Sequence, residues 1–279
     1  MDSRAALTAL YAALDGAGWN TKTNWGTGAP CDSSSPWSGL TCSSSGAVMG
    51  LQLRANNLKG SLPTEIGALT DLRYHLDLQG NGGLTGPLPT ELGALTQLQS
   101  LDVHDCTIGG TLPTEMGRMT ALVYFLYVYD NQLSGTLPSQ MGALSNLYEI
   151  YANDNSLSGT LPPAVVPQWT QMVGMVLEAN RLSGSLPSEL GALTGLTSLR
   201  LSSNSFSGNL PSQLGRLTAL NTLQLQSNSL AGAVPTQLSA VHQSQSHHTQ
   251  SRTQPPDRGG VRARCTAQLT AGVPSVCCR

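Results

Sequence analysis

The apolar step L-x-L, in which Ile, Val, Met or Ala replaces some leucines, recurs eight times in this chain at a nearly fixed spacing, as in Leu51-Gln52-Leu53, Leu76-Asp77-Leu78, Leu101-Asp102-Val103 and Leu126-Tyr127-Val128. Three residues after each step stands Asn56, Asn81, Cys106, Asn131, Asn155, Asn180, Asn204 or Asn228, a period of 24 or 25 residues. Self-similarity at such a period marks a chain that stacks one small unit on the next. Alternate residues of a strand face opposite ways, so the two apolar residues of a step turn inward together and the residue between them turns outward. Copies stacked at ~4.8 Å pair their strands and bury the apolar residues in one continuous core, which no copy could do alone.

Composition agrees: 279 residues include 30 Gly and 16 Pro, and many of them punctuate the copies at fixed places. The Gly before each Leu-Pro permits a tight path, and Pro fixes φ as the chain enters the outer side. The Ser or Thr after Pro (Thr64, Thr90, Thr114, Ser139, Ser188, Ser212, Thr236) is expected to cap a short outer helical turn. The Asn side chains are expected to satisfy backbone groups where strand becomes loop and to stack as a ladder. Cys106 then replaces one rung as a buried, inert thiol. The copies of 25 arise from single insertions in "LRYHLDL", "NGGL", "LVYFL" and "LPPAVVP", each expected to bulge into a loop.

The full pattern, L-x-x-L-x-L-x-x-[NC]-x-L-x-G-x-[LV]-P, resembles the plant-type leucine-rich repeat proteins over residues 48 to about 241. That resemblance implies an α/β repeat solenoid: a right-handed, curved superhelix with a parallel concave β-sheet, short 3-10 or helical outer turns and an N-terminal helical cap. Residues 1–47 are assigned to the cap, 48–241 to eight repeats and 242–279 to a disordered, basic, Cys-containing tail. The cap begins with "DSRAALTALYAALDGAGW", whose apolar period fits an amphipathic helix. It continues with "NWGTGAPCDSSSPWSGLTC", which resembles the cap of plant-type repeat proteins at Trp25, Cys31, Trp37 and Cys42.

By that resemblance Cys31 and Cys42 are bridged, a loop worth roughly 2–3 kcal/mol, and Trp19, Trp25 and Trp37 form the lid that an exposed first strand requires. A bridge implies an oxidising compartment, so a secreted or cell-surface protein is expected. The sequence opens at the cap without a signal peptide and holds no Asn-x-Ser/Thr sequon. A cytoplasmic scaffold on a cytoskeletal structure, with reduced Cys31 and Cys42, therefore stands as the alternative. In the tail, His242, His247 and His248 lack acidic or Cys companions at metal-ligand spacing, and Cys265, Cys277 and Cys278 do not match the family's usual end cap.

Function is sought on the concave face. The residue between the apolar pair runs Gln52, Asp77, Asp102, Tyr127, Tyr151, Val176, Arg200, Gln224 along the copies. Flanking it on the same face are Phe125, Glu149 and His75 on one side and His104, Tyr129, Asn153 and Glu178 on the other. Only 5% of the chain is aromatic, yet Tyr124, Phe125, Tyr127 and Tyr129 fall within six positions. Tyr and Phe supply stiff contact area at low entropy cost, and carboxylates select cationic groups. The candidate ligand-binding residues are Asp77, Asp102, His104, Phe125, Tyr127, Tyr129, Glu149, Tyr151 and Glu178.

The resemblance to receptor-like protein ectodomains and polygalacturonase inhibitors implies a non-catalytic module binding a protein or peptide in defence or receptor-type signalling. Two other readings are an ice- or glycan-surface binder using the Ser/Thr column and the cytoskeletal scaffold. Asp102, His104 and Asp105 lie close together but follow a strand pattern with no nucleophile beside them, so no catalytic residue, metal or cofactor is expected. Residues 1–241 hold nine basic against fifteen acidic residues, no footprint for nucleic acid, and no apolar run nears the ~18 residues that span a bilayer. The expected state is a monomer.

Overall fold

The computed structural model describes residues 1–238, 265–270 and 273–278. Helix α1 (Ser3–Ala13) is capped by Asp2, whose carboxylate accepts from the Ala5 N–H at 2.8 Å, and its apolar stripe Ala6, Leu7 and Leu10 is buried. Behind it Trp19, Trp25 and Trp37 are buried with edge-on or tilted ring contacts, each indole N–H donating to a backbone carbonyl. Cys31 and Cys42 form a disulfide. Cys42 ends the strand Leu40–Cys42, which pairs antiparallel with the first repeat strand, Val48–Gln52, and so covers its outer edge.

From Val48 the strands run in parallel, one per copy. Leu51, Leu76, Leu101, Leu126, Ile150, Met175, Leu199 and Leu223 are register partners and are all buried. The inward and outward columns thus fall where the period places them. Outside, each of the first seven copies makes a short 3-10 turn such as Thr90–Ala94, Thr114–Arg118 or Ser188–Ala192. Between the two faces lies a second parallel sheet, Ser134–Gly135, Ser156–Gly159, Arg181–Ser185, Ser205–Asn209 and Ser229–Ala231. Gly67, Gly93, Gly117, Gly191 and Gly215 let neighbouring turns stack: a Cβ on Gly117 would stand 2.4 Å from the Gln140 carbonyl oxygen.

The Asn column is a ladder between copies. Asn131 Nδ2 donates to the Val103 carbonyl at 2.9 Å while its Oδ1 accepts from the Ile108 N–H at 2.9 Å, and Asn155, Asn180, Asn204 and Asn228 repeat the pattern. At Cys106 the thiol reaches the Leu78 and His104 carbonyls at 3.5 Å, and burial pushes its pKa up to about 11.

One expectation fails. Thr64, Thr90, Thr114, Ser139, Ser188 and Ser212 do not cap the outer turns: Pro63, Pro89, Pro113 and their equivalents occupy the N-cap in extended conformation, and the turn begins at the hydroxyl residue itself. One position too late to cap, the hydroxyl turns to its neighbour, as Thr114 does to Glu115 at 3.1 Å and Ser188 to Glu189 at 3.1 Å.

Of the tail 242–279, expected to be disordered, Cys265–Thr270 and Val273–Cys278 form an antiparallel hairpin whose first strand pairs with Thr222–Gln224. The last repeat strand is thereby covered along its edge, as the cap covers the first. His242, His247 and His248 lie outside the described residues. Among the described residues no helix is long and apolar enough to cross a membrane.

Candidate functional site

In the fourth and fifth copies Leu126, Val128, Ile150 and Ala152 fill the core, so their strand neighbours Phe125, Tyr127, Tyr129, Glu149 and Tyr151 stand on the opposite, concave face, all half-buried. The rings pack on one another. Phe125 and Tyr127 stack at 4.4 Å, Tyr127 and Tyr151 at 4.7 Å, and Tyr129 meets Tyr127 edge-on at 6.0 Å. His104 extends the platform from the third copy, stacked on Tyr129 at 4.1 Å. Parallel strands in register bring these side chains together from three consecutive copies.

Polar contacts fix the platform. The Tyr127 hydroxyl donates to Glu149 Oε2. His104 Nδ1 lies 2.6 Å from Asp102 Oδ1, whose carboxylate also accepts from the His104 N–H at 3.2 Å and from Gln79 Nε2 at 3.2 Å. Burial nevertheless holds the Asp102 carboxyl above the usual aspartate range, outweighing the bonds from His104 that pull it down. Burial first, and then Glu149, raises the Tyr127 and Tyr151 phenols above their ordinary value, so both are protonated donors at neutral pH. His75 is lowered by burial against the glycine at position 50 and is therefore a neutral ring at neutral pH.

Six of the nine candidate residues, His104, Phe125, Tyr127, Tyr129, Glu149 and Tyr151, thus form one contiguous surface, and Asp102, itself buried, holds the His104 ring. Asp77 and Glu178 lie to either side of it and are occupied within the chain. Arg54 pairs with Asp77 at 2.8 Å, and Arg200 pairs with Glu178, which also accepts from the Ser202 hydroxyl at 2.9 Å. Tyr124 and Tyr148 sit at the strand entrances, where with Tyr74 they are exposed.

The partners Arg54, Gln79, Arg200 and Ser202 escape a reading that goes down one column at a time. The signal is a diagonal. The residue two places after the middle column in one copy meets the middle residue of the next, as in Arg54–Asp77, Gln79–Asp102 and Glu178–Arg200.

This geometry, parallel strands with outward variable residues over a ladder of buried apolar ones, defines a repeat solenoid with an open concave face. The Leucine Rich Repeat family model matches residues 97–119 and 195–217. A probable leucine-rich repeat receptor-like protein kinase of Arabidopsis thaliana is 46% identical over 89 residues, 32% of this chain and 9% of that protein. The structure of the plant peptide hormone receptor RGFR1 in complex with RGF2 superposes with a TM-score of 0.64 at 31% identity over 67% of this chain and 29% of its own. The HAESA ectodomain of Arabidopsis, in complex with an N-terminal extended IDA peptide hormone, gives 0.68 at 28% identity over 85% and 40%. The chain carries leucine-rich repeats and is similar to plant-type leucine-rich repeat proteins, and it spans less than half the length of each of these relatives.

Proposed function

We propose that this chain is a non-catalytic recognition module that holds a protein or peptide on the concave face of its third to fifth copies. The observation that carries this reading is the aromatic platform Phe125, Tyr127, Tyr129 and Tyr151, placed by register on the face away from the core. Strand propensity alone would spread such rings over all eight strands. The same columns in the last two copies hold Ser198, Arg200, Ser202, Thr222, Gln224 and Gln226. Receptors of this fold whose structures hold peptide hormones support the same reading. On it, residues 1–47 serve as the cap, 48–241 as the recognition solenoid and 242–279 as a tail. The Cys31–Cys42 disulfide suits a chain that works outside the cell or at its surface, in receptor-type signalling or defence.

The test is selection of binders from a random 12-residue phage-displayed peptide library on the purified chain and on the Tyr127→Ala/Tyr151→Ala double variant. Sequence families enriched on the wild type are expected to vanish on the variant while its thermal melt is little changed. Identical families on both proteins would remove the concave face as the binding surface.

A further inference from the structure

Charge on the concave face is balanced at both ends and unbalanced in the middle. Asp77 has Arg54 and Glu178 has Arg200, while Asp102 is hydrogen-bonded to the His104 ring. Glu149, between them, is in no ion pair among the described residues; its carboxylate accepts from the Tyr127 hydroxyl, a neutral donor. A hydrogen bond from a phenol orients the carboxylate and leaves its charge in place.

The surroundings of Glu149 favour a cation: its carboxylate borders the stacked pair Tyr127 and Tyr151, and the faces of such rings attract cations.

The site is also built to a shape. Gly174, in the strand beside Glu149, carries no side chain, and a Cβ there would stand 3.2 Å from the Tyr151 ring and 3.3 Å from Glu149 Cγ. Its absence lets both side chains lie close against the sheet.

We infer that the ligand of this face is a peptide presenting one cationic side chain, Lys or Arg, to Glu149 over the Tyr127 and Tyr151 rings. The inference rests on the reading that the concave face binds a peptide, and it adds the chemistry that face selects. Arg54 and Arg200 pair with Asp77 and Glu178; the charge of Arg200 reaches Tyr151, but among the described residues no cation of the chain pairs with Glu149 itself.

The deciding experiment adds Glu149→Gln to the peptide selection and follows with calorimetry on a synthetic peptide from the wild-type pool. Glu149→Gln keeps the shape and the hydrogen-bond acceptor and removes the charge. A basic residue at a fixed place in the wild-type families, lost on Glu149→Gln, supports the inference. So does a roughly 10- to 100-fold weaker Kd for the synthetic peptide, provided that replacing its basic residue by norleucine weakens wild-type binding and has no further effect on the variant. Families that need the tyrosines yet carry no basic position, or a Kd changed less than about twofold by Glu149→Gln, overturn the cation and leave the docking surface standing. Families indifferent to the tyrosines, or no enrichment on the wild type, overturn both.

Discussion

The outer turns and the concave strands come from the same repeat and are constrained in opposite ways. On the outside, glycine recurs at Gly67, Gly93, Gly117, Gly191 and Gly215, where a Cβ would stand 2.4 to 2.7 Å from a carbonyl oxygen of the next turn. On the inside, the residue between the buried pair changes from Asp102 to Tyr127 to Val176 to Gln224 on a backbone that keeps one register. Packing dictates the first column and is indifferent to the second. The composition of the concave face is therefore free to record what it contacts, whereas the outer composition records how the copies stack.

The sharpest way to break this comparison lies within one strand. Leu126→Ala is expected to cost about 3–5 kcal/mol, because a buried side chain is deleted and a cavity left behind. The adjacent Tyr127→Ala, which loses ring stacking on a half-buried face, should cost only about 1 kcal/mol. Urea unfolding of the two variants checks both numbers, and equal losses would show that the platform is part of the core.

A smaller effect sharpens the outer half. Gly117→Ala should destabilise by about 2 kcal/mol, since its Cβ meets the Gln140 carbonyl oxygen at 2.4 Å. Gly142→Ala, whose nearest neighbour is the Gln168 side chain at 3.6 Å, should stay within about 0.5 kcal/mol of the wild type. Thermal melts of the pair measure the difference. If both cost the same, backbone entropy and not stacking explains the glycines.

Least in energy but clear in rate is Cys106. The thiolate is the reactive form, and burial raises this pKa to about 11, so its population at pH 7 is roughly two orders of magnitude below that of an ordinary thiol. Labelling by a thiol reagent should be correspondingly slow and should quicken about tenfold per pH unit until pH approaches 11. A plateau near pH 8.5 would place the thiol in water, outside the ladder.

The solenoid was legible because one period governs it: L-x-L set the register, and Asn set the ladder. Phe125, Tyr127 and Tyr129 followed at once, since their neighbours Leu126 and Val128 already occupied the core. What a column count misses is interaction across columns. Asp77 and Glu178 read as free acids, yet Arg54 and Arg200 reach them diagonally from adjacent copies. The capping role given to Thr114 and its equivalents failed because Pro113 already holds the extended conformation of a cap, a displacement of one residue that composition does not register. The hairpin at Cys265–Thr270 and Val273–Cys278 lies beyond the last copy, where no period exists to read.

The missing rung at Cys106 gives the molecule a seam. Elsewhere each junction between neighbouring copies is stapled by an amide that both donates and accepts across it, whereas here a thiol, a weaker donor and acceptor, faces the Leu78 and His104 carbonyls at 3.5 Å and the Asn81 and Gly80 N–H groups. A pull along the superhelix axis should part the stack first at this joint. The disulfide-locked end would then separate from the segment that bears the tyrosine platform, each half keeping its own stapled joints.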